Sequence, residues 1–365
     1  MKHFLFPVLI FILIVSGCVP LTPMPSTMTT VPSVPPTETL MPPTNTPEPT
    51  LTPTSTSAPP IALRRGVNLG NMLEAPQEGE WGLFVQEEYF DLIREAGFDF
   101  VRLPVRWNTH AGQEWPYTVE PGFFARVDEV VDWALGRDLA VIVDFHHYEE
   151  MMWEPWSNKD RFLGIWRQVA EHYQEYPSNV LFELLNEPND QLNASLWNQY
   201  LEEALAVVRE SNPTRDVVIG PASWNAYDWV STLDVPNDEH LIVTFHYYLP
   251  FEFTHQGAEW AGEEAQKWLG RTWEASDSAK AEITSHFNLV AEWAKRHKNV
   301  RILLGEFGAY SRADMDSRVR WTAFARSEAE RHGFAWAYWE FASGFGIYDP
   351  EAGVWREGLL KALIP

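Results

Sequence analysis

From residue 61 onward, short apolar runs recur along the chain, each followed by a stretch with helical spacing. The runs are Arg65–Leu69, Phe98–Leu103, Ala140–Phe145, Val180–Leu185, Asp216–Gly220, Leu241–Phe245, Arg301–Leu304 and Phe334–Trp339. They read as buried β-strands, short and bounded by polar residues. Between them, Glu87–Ala96, Phe123–Arg137, Lys159–Tyr176, Ser195–Glu210, Ala279–Lys298 and Ser317–His332 carry apolar residues at helical intervals. Eight strands, each followed by a helix or helical turn, predict an α/β fold of the (β/α)8 TIM-barrel type. The fifth unit is the thinnest, since Trp224–Leu233 offers only a short helix. A doubly wound open sheet is the alternative, but no Gly-rich phosphate loop follows the first strand.

The first 60 residues do not share this pattern. Lys2 precedes an apolar run, Phe4–Val15, that is too short to span a membrane comfortably. Val15-Ser16-Gly17-Cys18 then resembles a bacterial lipobox, so residues 1–18 read as a lipoprotein signal with Cys18 as the lipidated residue. Cys18 is the single cysteine of the chain, which excludes an internal disulfide or a cysteine-built metal site. Residues 19–60 are rich in Pro, Thr and Ser, with Glu38 and Glu48 the only charges. Such a segment cannot bury a core, and in polyproline geometry it would reach on the order of 100 Å. It reads as a disordered linker between an anchor and a working domain at 61–365. The expected location is the cell surface, or the medium if Cys18 is not lipidated.

Charge narrows the partners. Removing Lys2, Glu38 and Glu48 from 27 basic and 51 acidic side chains leaves 26 and 49, a domain net charge of −23. That balance argues against nucleic acid, whose phosphates require clustered Lys and Arg. A neutral substrate is compatible with it. The 18 tryptophans point the same way, because flat sugar faces stack on indole rings. Trp81, Trp107, Trp115, Trp153, Trp156, Trp224, Trp260 and Trp273 fall between the predicted elements, whereas Trp133, Trp166, Trp293 and Trp321 lie on helices and read as packing residues.

The candidate chemistry sits at the C-terminal ends of the strands, where barrel enzymes assemble their sites. Asn71 follows the first strand, and Arg102 lies within the second. His146 and His147 follow the third, Asn186 and Glu187 the fourth, and His246 and Tyr248 the sixth. Glu306 ends the seventh, and Trp339 and Glu340 end the eighth. Two glutamates, Glu187 and Glu306, close apolar runs on different strands, and a carboxylate at the rim of a core needs a use or a partner. An acid and a nucleophile across a glycosidic bond is such a use. His146 and His147 could suggest metal, but adjacent residues on an extended strand face opposite ways, so no metal site is expected.

The strings Val101-Arg102-Leu103-Pro104, Asp144-Phe145-His146-His147, Asn186-Glu187-Pro188, His246-Tyr247-Tyr248 and Gly305-Glu306-Phe307-Gly308, with Trp339, resemble glycoside hydrolase family 5. Gly66-Val67-Asn68-Leu69-Gly70-Asn71, Glu74-Ala75-Pro76 and the stretch Pro250–Trp260 are similar to its thermophile endoglucanases that also cleave β-mannans. The resemblance implies a retaining endo-β-1,4-glucanase, with Glu187 the acid/base and Glu306 the nucleophile. It implies no cofactor, a β-1,4-linked polysaccharide partner and a monomer. Arg102 and Tyr248 are expected to stabilise the Glu306 charge and His246 to orient Glu187. Asn186 is expected on the sugar 2-hydroxyl and Trp339 beneath the ring. Asn71, Glu74, His146, His147, His255, Trp260 and Glu340 complete the expected sugar-binding set. The rivals are an exo-acting β-glucanase of the same family and a surface glycan-binding protein that has lost catalysis.

Overall fold

The computed structural model describes residues 62–298 and 300–365. The lipobox, Cys18 and the 19–60 linker therefore lie outside the described residues. In chain order the elements are β1 (Arg65–Asn68), α1 (Glu87–Ala96), β2 (Phe100–Val105), α2 (Pro121–Leu135), β3 (Ala140–Phe145), α3 (Glu149–Trp153) and α4 (Pro155–His172). They continue with β4 (Val180–Glu183), α5 (Ala194–Ser211), β5 (Val217–Ile219), β6 (Leu241–Tyr247), α6 (Phe251–Thr254), α7 (Glu263–Lys267) and α8 (Asp277–Arg296). The chain closes with β7 (Arg301–Phe307), α9 (Met315–Arg331), β8 (Ala335–Tyr338), a hairpin of β9 (Tyr348–Asp349) and β10 (Val354–Trp355), and α10 (Glu357–Leu363). Strands β1 to β8 pair in sequence order, all parallel, and β8 returns to β1, so the sheet is a closed barrel. No helix among the described residues is long and apolar enough to cross a membrane.

The alternation of side chains along each strand explains where polarity collects. Phe100, Ala140, Ile142, Leu181, Val218, Ile242, Leu303 and Ala337 pack together as a small core separate from the main one, filling the barrel interior. Two residues further along, on the same inward face, stand Arg102, Asp144, Glu183 and Thr244. The intervening residues, among them Val101, Leu103, Val141, Val143 and Phe182, join the main core beneath the helices. The interior thus changes from apolar to charged toward the C-terminal end of the barrel, while the outer face stays apolar throughout.

Two local features depart from the regular pattern. The expected helix at 224–233 is instead a 3-10 turn at Tyr227–Thr232. Ser223, Trp224 and Asn225 precede it with φ of 64°, 58° and 52°, a left-handed run that no α-helix accommodates. Strand β7 also runs past Leu304 to Phe307, because its pairing with β6 shifts register between Phe245 and His246. Phe245 faces Leu304 but His246 faces Glu306, which leaves Gly305 as the extra residue of a bulge.

Candidate active site

Arg102 lies at the centre of the charged layer. Its Nε and Nη2 donate to the two carboxylate oxygens of Glu183, at 2.6 and 2.9 Å. Nη1 donates to Glu306 Oε1 at 2.9 Å and to Asn68 Oδ1 at 3.0 Å. Nη2 also reaches Asn186 Oδ1 at 2.8 Å and Asp144 Oδ2 at 3.0 Å. The guanidinium is fully buried, so a cation this far from water persists only because three carboxylates surround it. They raise its pKa well above the ordinary arginine value against the opposing effect of burial. Arg102 holds Glu306 as expected; grouped with the sugar-binding residues, it makes no sugar contact of its own, since every donor is occupied by protein, and it positions Glu306 and Asn186.

Glu187 follows the short β4 and carries φ of 47°, a strained backbone for a residue with a side chain. That turn aims its carboxyl back over the barrel, where Oε1 lies 2.7 Å from His246 Nδ1. Glu306 accepts from the Tyr248 hydroxyl at 2.9 Å through Oε2, and His246 Nδ1 stands 3.6 Å from the same oxygen. One carboxylate oxygen from each glutamate and a ring nitrogen of His246 lie within 4.8 Å of one another. These three could share a cation, but the hydrogen bonding among them already accounts for their closeness. Gly305 makes room for the arrangement, since a Cβ there would meet Thr244 Oγ1 and stand 3.1 Å from His246 Nε2.

Burial pushes both carboxyls up, Glu187 to about 7 and Glu306 to about 7. Two acids at this separation titrate as a pair and hold one proton between them near neutrality. The donors decide its place. Arg102 and the Tyr248 hydroxyl bond directly to Glu306 and to no oxygen of Glu187. Glu187 is the partner that keeps the proton. Burial lowers His246 to about 4, so the imidazole is neutral, with Asn225 Nδ2 3.4 Å from its Nε2.

The remaining expected residues divide into two groups. Glu74 accepts backbone N–H bonds from Asn71 and from Met72, the latter at 2.9 Å. Glu340 accepts from Ala342 at 2.9 Å, Ser343 at 2.8 Å and Phe345 at 3.1 Å. Both carboxyls are buried, so neither meets sugar as expected; they shape the loops after β1 and β8 from within. The second group faces the cleft. His146 donates from Nδ1 to Asp144 Oδ2 at 2.5 Å and stacks on Trp339, with ring centroids 5.4 Å apart. Trp339 packs against Gly70, where a Cβ would come within 2.9 Å of the indole. His147 does not face the opposite way as its strand position suggested: it meets His146 edge-on at 4.7 Å and Trp81 edge-on at 5.8 Å, and both histidines line the space beside Glu187. Asn71 is half-buried at the end of β1. Further along the cleft, His255 stacks on Phe251 at 4.0 Å and Trp260 stands edge-on to Tyr310 at 4.8 Å.

Sequence reasoning missed four residues of the site. Glu183 and Asp144 pair in register on β4 and β3 and hold Arg102 from two sides. A charge inside an apolar strand run was their visible signal. Asn68 locks β1 to β7 and β8 through the Gly305 and Tyr338 carbonyls, at 3.0 and 3.2 Å. Asn225 gave no signal, since its position depends on the left-handed loop after β5. Two of the tryptophans placed between elements, Trp107 and Trp273, belong to the core.

A parallel barrel that presents two carboxyls this close at its C-terminal face has the arrangement of a retaining glycosidase. The chain belongs to glycosyl hydrolase family 5, whose Cellulase model matches residues 64–344. It is 38% identical over 291 residues to Endoglucanase H of Acetivibrio thermocellus, covering 80% of this chain and 31% of that protein. The chain spans about a third of the length of that relative and of Cellulase/esterase CelE from the same organism. Two structures of Thermotoga maritima Cel5A, with cellobiose and with mannotriose, each superpose with a TM-score of 0.81 at 49% identity. Each comparison covers 83% of this chain and 98% of the other.

Proposed function

We propose that this chain is an endo-β-1,4-glucanase that cleaves with retention of configuration and also accepts β-mannan or glucomannan. The observation that carries the reading is the pair of carboxyl oxygens within 4.8 Å, only one of them held by Arg102 and Tyr248. Inverting enzymes hold their carboxyls about 6.5–9.5 Å apart to admit a water, and retaining ones about 5–5.5 Å apart. The endoglucanase relatives and the cellobiose and mannotriose complexes of Thermotoga maritima Cel5A support the substrate class.

In this reading Glu306 is the nucleophile and Glu187 the acid/base. Glu306 forms a bond to the anomeric carbon as the bond to the leaving oxygen breaks, and that oxygen takes the Glu187 proton. Glu187, now ionised, removes a proton from water. The water oxygen attacks the same carbon, and Glu306 leaves with its electron pair. Asn186 has its Oδ1 fixed by Arg102, which leaves the amide N–H to meet the sugar 2-hydroxyl. Trp339 is the floor beneath the ring, and Asn71, His146, His147, His255 and Trp260 are further sugar contacts. Reducing-sugar release from carboxymethyl cellulose and glucomannan tests the proposal, with Glu187→Gln as the control. Binding of both polymers without release by the intact protein would sink it.

The same proposal places the enzyme outside the cytoplasm as a monomer tethered through lipid on Cys18, with residues 19–60 as a stalk. The support is the lipobox string and the composition of the stalk. A Cys18→Ala variant should move from the membrane fraction to the medium, and one that stays with the membrane refutes the anchor.

A further inference from the structure

The oxygen that Glu187 protonates must lie within hydrogen-bond reach of its carboxyl, so the first leaving sugar occupies the open space beside that residue. This space runs from His146, Asn186 and Glu187 outward to His147, Tyr148, Glu149, Met152 and Asn189, all from the segments that follow β3 and β4. None of its lining comes from β1, β7 or β8.

Two tryptophans follow Met152 in the chain. Trp153 ends α3 and Trp156 lies in the first turn of α4, with 60% and 68% of their surfaces exposed. Both belong to a pinned segment. Asn158 Nδ2 donates to the Glu150 and Glu154 carbonyls at 3.0 Å, and its Oδ1 accepts from the Tyr148 hydroxyl at 3.1 Å. Arg161 reaches Tyr148 at 3.3 Å and donates to the Ala111 carbonyl at 2.8 Å, tying the segment to the loop after β2. The Gln191 N–H donates to the Met152 carbonyl at 3.0 Å, which ties it to the loop bearing Glu187. Two large indoles stand open to water on a rigid support, on the segment that gives Tyr148, Glu149 and Met152 to the space beside Glu187, and are preorganised for flat, partly apolar ligands.

We propose that Trp153 and Trp156 form a stacking platform for glucosyl units on the reducing-end side, beyond the first leaving sugar. The platform rests on the endoglucanase reading and adds to it. Through it, the chain grips long β-1,4-glucans on the leaving-group side and positions acceptor sugars for transfer to the glycosyl-enzyme. In that transfer the acceptor hydroxyl replaces water: it loses its proton to Glu187, and its oxygen bonds the anomeric carbon as Glu306 leaves.

The test compares the intact protein with a Trp153→Ala/Trp156→Ala variant on two substrates. Cellohexaose extends past the first leaving position, whereas in p-nitrophenyl cellobioside the aryl group ends there. Because both side chains are exposed, their removal should leave the melting temperature unchanged. The expected result is a KM for cellohexaose raised about three- to tenfold, with cuts displaced toward the reducing end. Transfer to added cellobiose should fall, while kcat/KM for the aryl substrate holds. A Trp153→Tyr variant should retain most of the cellohexaose affinity. Unchanged cellohexaose KM and cutting pattern would overturn the proposal. So would an equal loss on both substrates, or a loss confined to retention on insoluble cellulose. An intact protein that hydrolyses neither substrate is a separate result: it refutes the endoglucanase reading and takes the platform with it.

Discussion

At the scale of single residues, the site depends on one buried cation and the carboxylates it serves. Removing Arg102 would leave Asp144, Glu183 and Glu306 together without it, three acids in the barrel interior. An Arg102→Met variant should therefore lose about 3–5 kcal/mol of stability in denaturant unfolding, the cost of uncompensated buried charge. Arg102→Lys should rescue little, because an ammonium cannot reproduce the bidentate contact to Glu183. Glu187→Gln removes proton transfer and should lower kcat on carboxymethyl cellulose by about 10²–10⁴-fold. The pH profile follows from the pair. Burial lifts both glutamates to about 7, so activity should fall on the alkaline side as pH passes about 7 and Glu187 loses its proton. It should fall again in acid as Glu306 gains one. A kcat/KM profile with an alkaline limb above pH 9 would contradict this assignment.

At the scale of elements, the bulge in β7 decides whether the two glutamates can cooperate. A regular ladder would face Gly305 with His246, and Glu306 would point to the other side of the sheet. The single inserted residue turns Glu306 inward. Gly305→Ala should force Thr244 and His246 away from the bulge, costing about 1–3 kcal/mol by overpacking. It should also lower kcat more than it raises KM, because His246 and Glu306 move together. Unchanged kcat in a folded Gly305→Ala protein would show that the bulge is not needed for activity. The loops after β1 and β8 pose a related problem and solve it with Glu74 and Glu340, whose carboxyls gather backbone N–H groups that would otherwise be buried without partners.

At the scale of the whole molecule, buried acids set the pH at which the fold is most stable. Burial raises Glu74 to about 8 and Glu340 to about 7, against an ordinary value of 4.5. Asp144 is lifted to about 7 in the same way. Each of these groups binds its proton more tightly folded than unfolded. Their stabilising effect is complete below the unfolded pKa and is lost as pH rises through the folded value. A formal charge of −24 adds self-repulsion as the last protons leave. The melting temperature should therefore be higher at about pH 5 than at about pH 9, measured by calorimetry at constant ionic strength. A higher value at pH 9 would mean that these carboxyls are ionised in the fold at little cost.

Strand positions, the barrel they form and the two glutamates were legible in the chain because each is a local signal. Ala140–Phe145 and Glu87–Ala96 occupy the expected bounds, and α4 begins four residues early only because Pro155 suits the first turn of a helix. Period-two alternation and helical spacing are written within a few residues of one another. Which charges share one interior layer is not. Arg102 lies 42 residues from Asp144 in sequence, 81 from Glu183 and 204 from Glu306, and only closure of the barrel makes them neighbours. Sequence alone therefore determined that a barrel forms and that Glu187 and Glu306 stand near the C-terminal ends of two of its strands. Strand pairing and its bulge decided that they face each other, that Asp144 and Glu183 hold Arg102 against Glu306, and that Glu74 and Glu340 build loops. Periodicity is a property of neighbouring residues, whereas register and burial belong to the assembled sheet.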